Sequence, residues 1–194
     1  MSFYVSSVII DFGFAKYVPA PTFTFTLSGT PLYLPPEVIL NRGHNGSADH
    51  WSLGILIHEM LTGTTPFYKT GMGQIELFKA IVKNRFQLPA QFMSKDEVTP
   101  AGSIITELLT KDPAKRLGNL AGGEDGLVQH PWFSSDNGIN FDELRQKRVK
   151  APQIPTIKNP LDSSNFENWS HLQDKTKIKF PRLSPQQMKV FDDF

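Results

Sequence analysis

Residues 47–63 read "SADHWSLGILIHEMLTG". Trp51, Leu53, Ile55, Leu56, Ile57, Met60 and Leu61 are its large apolar side chains. Wound at about 100° per residue, they cover most of a helical circumference, not one stripe. The stretch therefore predicts a helix buried on several sides, and such a helix needs other elements around it. Ser47 or Asp49 can cap its start, and Gly63 can end it.

Further elements follow on either side. Residues 73–83 predict a second helix, with Ile75, Phe78 and Val82 on one face. A third opens at Thr99 as N-cap with Pro100 in the first helical position, shows Ile104, Ile105, Leu108 and Leu109, and stops at Asp112-Pro113. "GLVQHPWF" (126–133) is a shorter element ended by Pro131. At the other end, residues 3–10 are rich in Val, Ile, Phe and Tyr and read as a short strand. Residues 17–35 hold Pro19, Pro21, Pro31 and Pro35 among many Thr, so they read as a long extended loop. From about Ala151 a polar, Pro-punctuated stretch reads as an extended tail, not a second core. The expected class is mainly α.

The totals agree with one core and a tail. The chain has 194 residues, 39% of them hydrophobic, and a net charge of +1. That balance points to neither nucleic acid nor a membrane surface. There is no Cys, which excludes disulfides and thiolate metal sites. "SFYVSSVII" (2–10) is too short for a signal sequence and lacks a basic start. A soluble, cytoplasmic protein is expected.

The motifs "DFGFAK" (11–16), "TLSGTPLYLPPEVI" (26–39), "SADHWSLGILIHEMLTGTTPF" (47–67), "KDPAKRLG" (111–118) and "HPWF" (130–133) stand in one order. In order and spacing they resemble the C-lobe of a protein kinase. The tail "KAPQIPTIKNPLDSSNFENW" (150–169) and the terminal "FDDF" resemble the AGC serine/threonine kinases, and within these the cyclic-nucleotide-dependent enzymes. The resemblance implies a partial C-lobe over 1–133 and an AGC tail over 134–194. It implies a partial C-lobe that lacks the N-lobe, the catalytic loop and the earlier long helix against which the family packs its central helix.

The resemblance also assigns roles. Asp11 matches the family's metal-binding Asp, a rigidly held hard ligand for Mg²⁺ on nucleotide phosphates. Phe12 and Gly13 match its plug and hinge. Thr26 matches the phosphorylated Thr of the activation loop, with Thr24 as a rival, and Lys16 the cation that pairs with the phosphate. Leu27, Pro31 and Leu34 match the apolar pocket beside the phosphoacceptor, and Thr30 a Thr that bonds the catalytic loop. Leu32 and Lys79 stand where relatives carry Glu. Glu37 and Arg116 match a buried ion pair, and Asp49 a cap of the central helix. Phe166 and Trp169 match tail aromatics near the adenine and peptide sites. Phe191 and Phe194 match a motif that docks on the N-lobe. His130, inside "HPWF", is expected in the core.

Several parts of a kinase site are not found in these 194 residues. There is no Gly-rich loop, no strand Lys and no "HRD" loop, hence no base and no Asn for a second metal. The expectation is the C-terminal portion of a serine/threonine kinase that uses ATP and Mg²⁺ on protein substrates. The isolated chain is expected to be inactive and to need an N-lobe or another kinase chain as partner. The alternative is a non-catalytic docking module derived from a kinase.

Overall fold

The structure is a computed structural model that describes residues 9–94, 97–134, 138–159 and 161–166. Of these, the residues from Ile9 to Val149 belong to one compact unit, and those from Lys150 on to a second. The strand expected at 3–10 falls mostly outside the described residues, as do Trp169, Phe191 and Phe194.

The first unit is mainly helical. Its elements are α1 (Pro36–Ile39), α2 (Ser47–Thr62), α3 (Gln74–Lys83), α4 (Pro100–Leu108), α5 (Gly123–Val128), α6 (Pro131–Ser134) and α7 (Phe141–Arg145). The described strands are β1 (Met93–Ser94) and β2 (Glu97–Val98), which pair antiparallel between α3 and α4. Among the described residues, no helix is long and apolar enough to cross a membrane.

The α2 and α4 helices make the centre. Trp51 and Ile55 from α2 meet Ile104, Ile105 and Leu108 from α4, all of them fully buried. The two helices approach so closely at Gly54 that a Cβ there would lie 2.8 Å from Leu108 Cβ. Phe67 extends this core, stacked on Trp51 at 5.6 Å and met edge-on by Phe86. Each fully buried large apolar side chain contributes roughly 1.5–3 kcal/mol, so this block carries most of the unit's stability. One side of α2 stays open: Leu56, Met60 and Leu61 are 41%, 64% and 43% exposed. The all-round apolar pattern thus describes α2 well, but the other described elements cover only part of its circumference.

Helix ends follow local chemistry. Thr99 Oγ1 accepts the Gly102 N–H at 3.3 Å, and Pro100 stands in the first helical position of α4. The start of α2 corrects the expected cap. Gly46 already has helical dihedrals and occupies the N-cap, so Asp49 falls inside the first turn. Asn45 Oδ1 takes the Ser47 N–H at 3.1 Å instead. Asp49 then favours the helix through its charge beside the positive end. Pro131 opens α6; the helix before it ends at Val128, with Gln129 as C-cap.

The compact unit runs past residue 133. The Ile139 N–H bonds Phe133 O at 3.0 Å, and Phe141 of α7 meets Phe133 edge-on at 5.2 Å. His130 is buried, with Nδ1 accepting the Trp132 N–H and Nε2 3.4 Å from Glu107 of α4. In the second unit, Asp162 takes the N–H groups of Lys158 and Ser164, which hold its carboxyl below the usual range. Phe166 is exposed there.

Candidate functional site

The segment after Ile10 turns sharply. Asp11 adopts a left-handed conformation (φ 64°), and its Oδ1 accepts the Gly13 N–H at 3.3 Å. Among residues other than glycine, Asn and Asp tolerate that conformation best. The turn leaves the carboxylate in solvent, at the wall of a cleft of about 660 Å³. The start of α2, with Asp49, and the turn at Gly29–Leu34 line the same cleft.

Lys16 enters the same cleft and donates from Nζ to Thr24 Oγ1 at 2.8 Å. Thr24 Oγ1 lies 3.3 Å from Thr26 Oγ1. The two threonines differ in setting. Thr24 is buried and locked by reciprocal backbone bonds with His44, each 2.9 Å. Thr26 is exposed, one hydroxyl away from the lysine-held position.

Residues 27–34 follow as an irregular run into a 3-10 turn over Pro31–Tyr33. Thr30 caps the turn through its carbonyl, which accepts the Tyr33 N–H at 2.9 Å. Leu34 is buried and Leu27 is 62% exposed. Thr30 and Leu34 line the cleft with Asp11, Lys16 and Asp49; Leu27 and Pro31 do not.

Behind the cleft lies the buried pair. Arg116 is fully buried and Glu37 is 5% exposed. Arg116 grips Glu37 bidentately, at 2.7 and 3.0 Å. The same guanidinium donates to Ser47 O and Thr110 O and lies 5.2 Å above the Trp51 ring. This satisfies both charges and joins α1, the start of α2 and the end of α4 in one knot. Next to it, Gly118 takes φ 87° against the His50 ring, where a Cβ would come within 2.6 Å. Burial holds the His50 imidazole below its ordinary range, against the pull of Asp49 and Glu124.

Some contacts carry no signal in the sequence. The Tyr33 phenol donates to Glu59 of α2, and Ser52 Oγ donates to Tyr33 O at 3.1 Å. The Glu59 bond, followed by burial, pushes the Tyr33 phenol above its ordinary value. Tyr33 and Glu59 stand 26 residues apart, and no periodicity links them. The pairing of Thr24 with His44 was equally invisible.

The metal question turns on Asp11. No group of three or more His, Asp or Glu among the described residues comes together as a cage. A single exposed carboxylate fits Mg²⁺, which takes one or two protein carboxylates and fills its shell with water and phosphate oxygens. It does not fit an ion held by protein alone.

The protein kinase domain model matches residues 6–133. The chain is 41% identical over 162 residues to a "cAMP-dependent protein kinase catalytic subunit" of Arthrobotrys oligospora, covering 83% of this chain and 29% of that protein. It is 37% identical to "cGMP-dependent protein kinase 2" of Homo sapiens over 83% of this chain and 20% of that protein. It is 36% identical over 189 residues to the "cAMP-dependent protein kinase catalytic subunit PRKX" of Mus musculus, covering 96% of this chain and 48% of that protein. The chain thus spans from a fifth to about half of the length of these relatives.

Proposed function

Because the chain belongs to the protein kinase family, we propose that it supplies the C-lobe and tail of an AGC serine/threonine kinase that transfers the ATP γ-phosphoryl group to protein Ser or Thr. The observation that carries this reading is the cleft that brings Asp11, Lys16, Thr30 and Asp49 together, with Thr26 exposed beside it.

The residues divide the work. Asp11 is the ligand for Mg²⁺, which neutralises developing charge on the transferring phosphoryl group when bound. Thr26 is the phosphorylated residue and Thr24 the structural one. A phosphate on Thr26 adds about two negative charges close to the Lys16–Thr24 bond. Lys16 exchanges that neutral partner for a charge-assisted one, which tightens the loop. Leu27, Pro31 and Leu34 receive the side chain beside the phosphoacceptor, and Thr30 orients the catalytic loop. Phe166 contributes to the adenine site in the assembled enzyme, and Phe191 and Phe194 dock the tail.

Phosphoryl transfer works by positioning and electrostatics from many groups at once. A base, a phosphate-gripping Lys and a Gly-rich loop are not among these 194 residues, so the chain alone transfers no phosphate. A docking module is the second reading. The open side of α2 at Leu56 and Met60 favours it, because a partner could cover that side.

A chimera separates the two. Residues 9–194 would replace the matching part of the Arthrobotrys oligospora relative. A kinase lobe yields peptide phosphorylation that falls at least about 100-fold in the Asp11→Asn chimera. A folded chimera without transfer, or one indifferent to Asp11→Asn, contradicts the reading.

A further inference from the structure

A second cleft, of about 610 Å³, has Glu37 of the buried pair in its wall and is lined by α1 and the loop after α4. Its size falls within the range of small-molecule sites. Phe23, Pro36, Leu40, Pro113 and Ala114 supply apolar wall, and Arg42 and Lys111 stand at its exposed edge.

The charges around it are unequally satisfied. Glu37 is held by Arg116 through both oxygens. Asp112 accepts the Ala114 N–H at 3.0 Å and lies 3.9 Å from Lys115. Arg42 and Lys111 form no ion pair among the described residues. His44 is held below its ordinary range chiefly by burial, so it adds no charge near neutrality. The cleft is therefore a hollow with apolar walls and two edge cations that form no ion pair among the described residues, while its half-exposed carboxylate, Asp112, is engaged with the Ala114 N–H and faces Lys115.

Its wall is also part of the loop that bears Thr26. Phe23 precedes Thr24, which is bridged to His44 by two backbone bonds. Phe23 and Phe25 bracket Gly43 so tightly that a Cβ there would lie 3.1 Å from the Phe25 ring. Any body that fills the cleft rests on Phe23 and His44 and so bears on this bridge.

We propose that this cleft is a ligand site for a compact apolar body carrying one anionic group, of the aryl carboxylate class, and that its occupancy steadies the Thr24–His44 bridge. The apolar body fills the hollow, and the carboxylate meets Arg42 and Lys111. By linkage, whatever orders the bridge tightens the ligand, and the reverse. The site is independent of the reading of Asp11 as a metal ligand.

The test titrates the full chain with 2-naphthoate and with neutral 2-naphthylmethanol, followed by calorimetry and by backbone amide NMR. Naphthoate is expected to bind about tenfold or more tightly than the alcohol. Its shifts are expected at residues 23–25, 42–45 and 111–114, with slower amide exchange at Thr24 and His44. The Arg42→Glu/Lys111→Glu variant, altered only at exposed positions, removes the preference and leaves alcohol binding unchanged. Ala114→Trp fills the hollow and removes both. Equal affinity for the two probes, shifts centred on Leu56 and Met60, or a preference that survives charge reversal would overturn the proposal.

Discussion

The α2–α4 block and the segment from Ile9 to Leu27 handle apolar side chains in opposite ways. In the block, Trp51, Ile55, Ile104, Ile105 and Leu108 are fully buried against one another. In the segment, Phe12, Phe14 and Tyr17 are 68%, 75% and 88% exposed. The block has regular helices, capped ends and a satisfied buried ion pair. The segment has one 3-10 turn and is tied down chiefly at Thr24, through His44 and Lys16. Yet the segment carries Asp11, Lys16 and Thr26. The candidate site residues thus lie where few apolar contacts hold the chain, and the scaffold that places them is the densely buried block.

That contrast can be broken from the scaffold side. Arg116→Ala leaves Glu37 buried without its partner and releases Ser47 O and Thr110 O. A loss of about 3–5 kcal/mol is expected in urea unfolding. A loss below about 1 kcal/mol would mean that the pair behaves as a solvated one. Gly54→Ala probes the α2–α4 contact itself. The helix gains propensity, but the new Cβ meets Leu108 at 2.8 Å. The balance is a loss of about 1–3 kcal/mol, and equal or greater stability would show that the helices can part.

The smallest effect is expected on the open side of α2. Met60→Ser changes a 64% exposed side chain, so stability stays within about 0.5 kcal/mol. Binding of a dye that reports exposed apolar surface falls in the same variant. A large loss of stability would mean that Met60 is covered.

Much of the block was legible in the sequence. An all-round apolar run marks a helix buried on several sides, and Thr99-Pro100 marks a helix start by its own chemistry. The cap of α2 was harder, because Asn45, Ser47 and Asp49 are all good caps and only the backbone at Gly46 decides among them. The Glu37–Arg116 pair, 79 residues apart, was readable only through family resemblance. Tyr33–Glu59 and Thr24–His44 left no local signal, since each depends on how distant segments come together. Burial then separates Thr24 from Thr26, two residues that composition cannot distinguish.

Native-state hydrogen exchange tests the central contrast most directly. Amides of α2 and α4 are predicted to exchange only through global unfolding, with one free energy that Arg116→Ala lowers throughout. Amides of residues 11–18 are predicted to exchange by local opening, many kcal/mol more easily, and to ignore that substitution. Equal protection in both regions, or a segment whose exchange follows Arg116→Ala, would contradict the account.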